Sequence, residues 1–294
     1  MNKIQEKLKE KGTLFVDGAW GTMMQNAGLK AGECPELWNL EHSEKVFEIA
    51  KAYADLGVDL IETNSFGGSR FKLGNFGLED KAFEINKAAA EITKSAINDD
   101  QIVLGSIGPT GKILMMGDVT EQELYDAFAE QAKGLEAGGA DAAIIETMTA
   151  LDEALIAIRA VKDNTDLEII VSFTFELTGA GEFRTMMGNL PAEVISEVIN
   201  EGVNIVGTNC GNGLERMIPI IEDIRAEFKD VPILVNANAG MPHLHDGETV
   251  FPESPDEMAG FIPKVMDAGA NIIGGCCGTT PEHIVKMMNA ATKG

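Results

Sequence analysis

The chain has 294 residues, and its 23 Lys and Arg stand against 47 Asp and Glu, a formal net charge of −24 at pH 7. So acidic a surface repels a phosphate backbone and argues against nucleic acid as a partner, while 45% hydrophobic residues suffice for one large core. Four cysteines in so long a chain make no disulfide framework, and unpaired thiols in a reducing compartment are more often buried, metal-bound or catalytic.

The N-terminal MNKIQEKLKEKG is basic, but no apolar h-region follows it, and no stretch reaches the roughly 18 apolar residues of a membrane span. A cytoplasmic protein without a membrane partner is expected. The first predicted strand is TLFVDGAWG at 13–21. Helical periodicity follows in SEKVFEIAKAYADLG at 43–57, where Val46, Ile49, Tyr53 and Leu56 share one face and Ser43 is the expected N-cap.

A phrase then recurs along the chain: DLGVDLIET at 55–63, AGGADAAIIET at 137–147, EGVNIVGTN at 201–209 and DAGANIIGG at 267–275. Each reads as a helix stopped by a glycine with cheap positive φ, then a tight turn into a buried parallel strand. Between the copies lie further strands, IVLGSIGP at 102–109, EIIVSFTF at 168–175 and PILVNANAG at 232–240, which makes eight in all. Eight strands alternating with helices predict an α/β fold of the (β/α)8 TIM-barrel type. An open doubly wound sheet is the runner-up, but GAWGT at 18–22 lacks its phosphate-loop fingerprint. No linker rich in Pro, Gly and Ser interrupts the pattern, so residues 1–294 are read as a single domain.

In such a barrel the site forms at the C-terminal ends of the strands. The polar residues there are Asp17, Glu62, Asn64, Glu146, Asn209, Cys210, Asn236, Asn238, Cys276 and Cys277. Strands six and eight have one neighbour between them, so Cys210 can meet Cys276 and Cys277, whose flanking Gly274, Gly275 and Gly278 let the backbone bend. Three thiolates on one zinc ion would leave its fourth position open for a substrate atom. Inert packing of small thiols and a strained Cys276–Cys277 disulfide are the alternatives, and Cys34 reads as a bystander. Asp17 and Glu146 suit either helix caps and ion pairs or the ammonium group of an amino-acid substrate, and the DGAWGT turn has backbone N–H groups to offer a carboxylate. His243, His245 and His283 are candidate ligands by residue type, but MPHLHDG resembles a surface turn and zinc is not expected there. The methionine pairs Met23–Met24, Met115–Met116 and Met186–Met187 read as core and loop filler, several of them near the rim.

The segments DGAWGTMMQ, PELWNL, TNSFGGSR, GPTG, TNC, NANAG and GGCCGTTPEHI resemble the homocysteine S-methyltransferases, most closely the homocysteine-binding module of cobalamin-dependent methionine synthases. The resemblance implies that Cys210, Cys276 and Cys277 bind one Zn2+, that Asp17 and Glu146 hold the homocysteine amino group, that the Gly18–Ala19 turn meets its carboxylate, and that Asn238 shapes the pocket. It also implies methionine as product and a methylated corrinoid, such as methylcobalamin on a separate protein or module, as methyl donor. Two departures bear on this: Ala237 stands where the family usually has proline, and GNGLE follows Cys210 where methionine synthases more often have Ser-x-Gly-Pro. The second lies where a donor would approach. A small cationic donor, S-methylmethionine or betaine recognised by Trp20 and Trp38, is therefore the enzymatic alternative, and a non-catalytic zinc- or thiol-sensing module is the alternative of another class.

Overall fold

The four recurring glycines, Gly57, Gly139, Gly202 and Gly269, all adopt positive φ, between 81° and 112°. A side chain with a Cβ is strained in that conformation, so glycine is what lets each helix stop and turn directly into a strand. In the computed structural model, which describes residues 2–245 and 248–292, these turns feed strands β2 (Leu60–Glu62), β4 (Ala142–Met148), β6 (Ile205–Asn209) and β8 (Ile272–Gly275). Between them come β1 (Leu14–Phe15), β3 (Ile102–Ile107), β5 (Glu168–Phe173) and β7 (Ile233–Ala237).

All eight strands are parallel and each lies beside its predecessor in the chain, with β8 returning to pair with β1. A parallel bridge between Val16 and Leu60 joins β1 to β2 and closes the ring. This is the expected (β/α)8 barrel. Its interior is filled by Leu14, Leu60, Leu104, Ile144, Ile205 and Leu234 with their neighbours, and a second apolar layer lies between the strands and the surrounding helices. Burial on both faces explains why these strands are nearly continuous apolar runs.

The basic N-terminus forms a helix, Lys3–Lys11, whose Ile4 is fully buried with the barrel interior. Ionic contacts hold it: the Ile4 N–H donates to Glu168 Oε2 at 2.9 Å, Lys11 pairs with Asp59 at 2.6 Å, and Lys7 donates to the Asp100 carbonyl at 2.6 Å. These partners lie at the N-terminal ends of strands, so the helix plugs the end opposite the predicted site. Ser43 begins the helix Ser43–Ala54 but does not cap it; His42 holds the cap position without a side-chain bond. The connection after β5 carries a small antiparallel ribbon, Glu176–Leu177 against Phe183–Arg184. The predicted MPHLHDG turn after β7 is also a ribbon, His243–His245 against Glu248–Val250, with Asp246 and Gly247 outside the described residues. No helix among the described residues is long and apolar enough to cross a membrane.

Candidate active site

Cys210 follows β6, and Cys276 and Cys277 follow β8. Hydrogen bonds from their backbones to β7 bring the two strand ends together: Cys210 N–H donates to the Asn236 carbonyl at 3.0 Å and Cys276 N–H to that of Ala237 at 2.7 Å. Ala237 is thus a fully buried acceptor in this network of backbone bonds. The Cys277 carbonyl accepts from Ala239 at 2.9 Å, and Gly278, with φ of 83°, turns the chain away. Cys210 itself takes φ of 59°, rare for a residue with a side chain.

The result is three sulfurs within 4.8 Å of one another, a distance that suits one metal ion. Tetrahedral zinc with Zn–S bonds of about 2.3 Å places its sulfurs roughly 4 Å apart. The thiols already share charge: Cys276 and Cys277 donate to Cys210, which holds it far below the ordinary thiol range and raises the other two. A dication held by Cys210, Cys276 and Cys277 would favour the thiolate form of all three. Cys34 takes no part; it is buried against Glu36, and that burial pushes its thiol up to about 11.

The cysteines form one wall of a cavity of about 460 Å³ that also meets Gly18, Ala19, Trp20, Glu62, Phe66 and Glu146. Among the described residues lining it there is no Lys, Arg or His. Glu146 accepts from Ser106 Oγ at 2.5 Å and from Asn209 Nδ2 at 3.1 Å. Burial pushes its carboxyl up to about 7 and pushes Asp17 up to about 8, with repulsion from Glu146 adding to the latter. Asp17 lies behind the cavity wall: its Oδ2 accepts from Trp20 Nε1 at 2.9 Å and from the Glu62 N–H at 3.0 Å. The carboxylate that lines the cavity beside it is Glu62, which burial, then Glu146 and Asp17, holds well above its usual range, while Asn236 Nδ2 donates to it at 3.2 Å.

Gly18 leaves no room for a Cβ, which would lie 2.9 Å from both Tyr53 Oη and Thr279 Oγ1. Ala19 donates its N–H to Thr279 Oγ1 at 3.0 Å. Asn238 is buried behind Cys210, and its side-chain hydrogen bond helps keep that thiol ionised. Trp38 is buried under Lys45 and His42, away from the cavity, so of the two tryptophans only Trp20 reaches it. His283 caps the last helix through Thr280, and His243 stands exposed on its ribbon. Met24 lines the cavity, and Met115, Met116, Met186 and Met187 are exposed in the connections after their strands, near the rim as expected. Sequence reasoning put Glu62, Asn209 and Asn236 on the rim without roles, and missed Ser106 and Thr279. Their inward aim is a property of the closed ring.

Converging thiols and carboxylates at the C-terminal mouth of the strands define a (β/α)8-barrel enzyme. The methionine synthases of Mycobacterium leprae and Mycobacterium tuberculosis are each 30% identical to it, over 94% and 93% of this chain. The chain spans 24% of the length of each of those relatives. The metallated form of the homocysteine methyltransferase MmuM from Escherichia coli shares the fold with a TM-score of 0.80 at 21% identity, covering 98% of this chain and 99% of that one. Its oxidized form gives 0.79 at 22%, with the same coverage. The homocysteine S-methyltransferase profile matches residues 14–291, so the chain belongs to that family.

Proposed function

We propose that residues 1–294 form one homocysteine-binding barrel that methylates homocysteine to methionine, with the substrate thiol on a zinc ion held by Cys210, Cys276 and Cys277. The observation that carries this reading is the meeting of three sulfurs within 4.8 Å at the wall of an acidic cavity. When bound, zinc supplies a positive centre that holds thiols as thiolates at neutral pH. The three thiols complete no closed four-ligand site among the described residues, which favours a substrate-binding centre over a purely structural one.

Glu146 and Glu62 face the cavity and Asp17 backs them, an acidic wall suited to the substrate ammonium. Gly18 and Ala19 line the side where its carboxylate fits, and Asn238 steadies Cys210 from behind. Fixing both ends of homocysteine orients its sulfur for direct displacement at the methyl carbon, where proximity lowers the barrier. The sulfur–carbon bond forms as the donor's bond to methyl breaks, and the thiol proton passes to solvent.

The donor we favour is a methylated corrinoid, such as methylcobalamin, on a separate protein or module. Every large apolar side chain exposed among the described residues, Phe66, Met115, Met116, Met186 and Leu244 among them, lies in a connection after a strand or in the first turn of the next helix. Such a rim supports a large partner at the mouth. Trp20 and Phe66 at the cavity support a second reading, a small cationic donor such as S-methylmethionine or betaine. Unpaired thiols with this role belong in a reducing compartment, and we place the protein in the cytoplasm.

The test is zinc content together with methionine formation from homocysteine, with methylcobalamin, S-methylmethionine or betaine as donor. One zinc per chain and methylcobalamin-dependent turnover are expected, both lost in Cys276→Ser. Turnover only with a small cation replaces the donor, and a wild type that takes up no zinc overturns the mechanism.

A further inference from the structure

Two residues with side chains, Thr147 and Cys210, sit in the left-handed region with φ of 59° each. For a β-branched threonine this is a strained backbone, sustained only where the surroundings over-determine it. Both flank the same buried side chain. Asn209 Oδ1 accepts from the Thr147 N–H at 2.8 Å and from Ser172 Oγ at 2.7 Å, while its Nδ2 donates to Thr147 Oγ1 at 2.7 Å and to Glu146 Oε2 at 3.1 Å. Its main-chain carbonyl accepts from Thr174 Oγ1 at 2.8 Å, immediately before Cys210.

On the next strand, Asn236 stands opposite Asn209 in register. Its carbonyl accepts from Cys210 N–H at 3.0 Å and its Nδ2 donates to Glu62 Oε1 at 3.2 Å. Its Oδ1 is buried without a partner, so the bond to Glu62 is the one side-chain bond that Asn236 makes among the described residues. Adjacent asparagines thus each hold one cavity carboxylate by the side chain, and both adjoin the Cys210 turn through the backbone. The two ends of the cavity are built from one piece.

We propose that Asn209 and Asn236 are positioning residues that set the spacing between the carboxylates and the Cys210 sulfur, and thereby select thiols carrying an amino group at the homocysteine distance. This rests on the homocysteine reading above. An amide that donates to a carboxylate fixes its direction, and both amides are held by buried strands, so the spacing is not free to adapt to a substrate without the amine.

The experiment is calorimetric binding of L-homocysteine and of 4-mercaptobutanoate, the same thiol acid without its amino group, to zinc-loaded wild type, Asn209→Ala and Asn236→Ala, with zinc per chain measured in each. Wild type should prefer homocysteine at least tenfold. In the variants homocysteine should weaken about tenfold and 4-mercaptobutanoate less than threefold, at unchanged zinc. Should Asn209→Ala not fold, Asn236→Ala, which removes a single side-chain bond, decides alone. Equal weakening of both ligands, or no change in either, overturns the positioning role. A wild type that does not distinguish the two thiols sinks instead the homocysteine reading.

Discussion

Glu62 and Glu146 line the cavity and Asp17 lies behind them, and among the described residues no cationic side chain lines that cavity. Burial and then mutual repulsion raise Asp17 to about 8 and hold Glu62 well up, and burial raises Glu146 to about 7. In the unfolded chain such groups titrate near pH 4. The folded state therefore binds their protons more tightly, so the stability they contribute is full below about pH 4 and is lost as pH rises through 7 to 8. The Cys210 thiol, held low, acts with the opposite sign, but three raised carboxylates outweigh it, so the metal-free, ligand-free protein should melt at lower temperature at pH 8 than at pH 5. Glu62→Gln removes one member of the cluster. It should flatten that slope and raise the pH 8 midpoint by roughly 2–4 °C, while weakening homocysteine binding. Scanning calorimetry across the pH range decides it, and an unchanged slope in the variant refutes the account. The thiols were legible in the sequence because two strand ends separated by one neighbour must lie close in a barrel. The carboxylates were legible only in part. Asp17 and Glu62 occupy equivalent strand-end positions, and the bonds from Trp20 and the Glu62 amide that turn Asp17 behind the wall exist only in the closed ring.

At the scale of elements, the turn after β8 carries the strictest demands. Gly278 has positive φ, and a Cβ there would lie 2.4 Å from Phe251 Cβ and Cγ, on the connection after β7. Gly278→Ala thus combines backbone strain with overpacking, a cost of about 1–3 kcal/mol. Because the Gly278 N–H also donates to Thr22 Oγ1 at 3.1 Å, the strain reaches the first loop as well as the thiols. Denaturant unfolding should show the loss, and zinc content should fall with it; full stability with full zinc would mean the turn yields more easily than its contacts indicate. The repeated glycine turns were readable for the same reason that these substitutions are costly: a residue without a side chain marks a backbone that few others can adopt. The N-terminal helix was not readable. Its sequence is dominated by Lys and Glu, and what commits it to the barrel is the buried Ile4 together with charges, the buried Lys7 among them, that find partners near the starts of distant strands.

Across the whole molecule, the barrel divides its labour between its ends. The mouth carries strained backbone, buried like charges and unpaired thiols, all of which cost stability. The opposite end is closed by the Lys3–Lys11 helix, whose Lys7 and Lys11 face Asp59 and whose Ile4 seals the apolar interior. If the plug compensates for the mouth without shaping it, the two ends should separate experimentally. Ile4→Ala deletes a fully buried side chain at the lower end and should cost about 2–4 kcal/mol. Zinc per chain and homocysteine affinity should stay at wild-type values at temperatures where the variant is folded, because the eight strand ends that build the cavity keep their register. Chemical denaturation and binding calorimetry on the same preparation compare the two quantities directly. A variant that keeps its fold but loses homocysteine affinity would mean that the plug sets the geometry of the mouth through the strands, and the barrel would then have to be treated as one coupled unit.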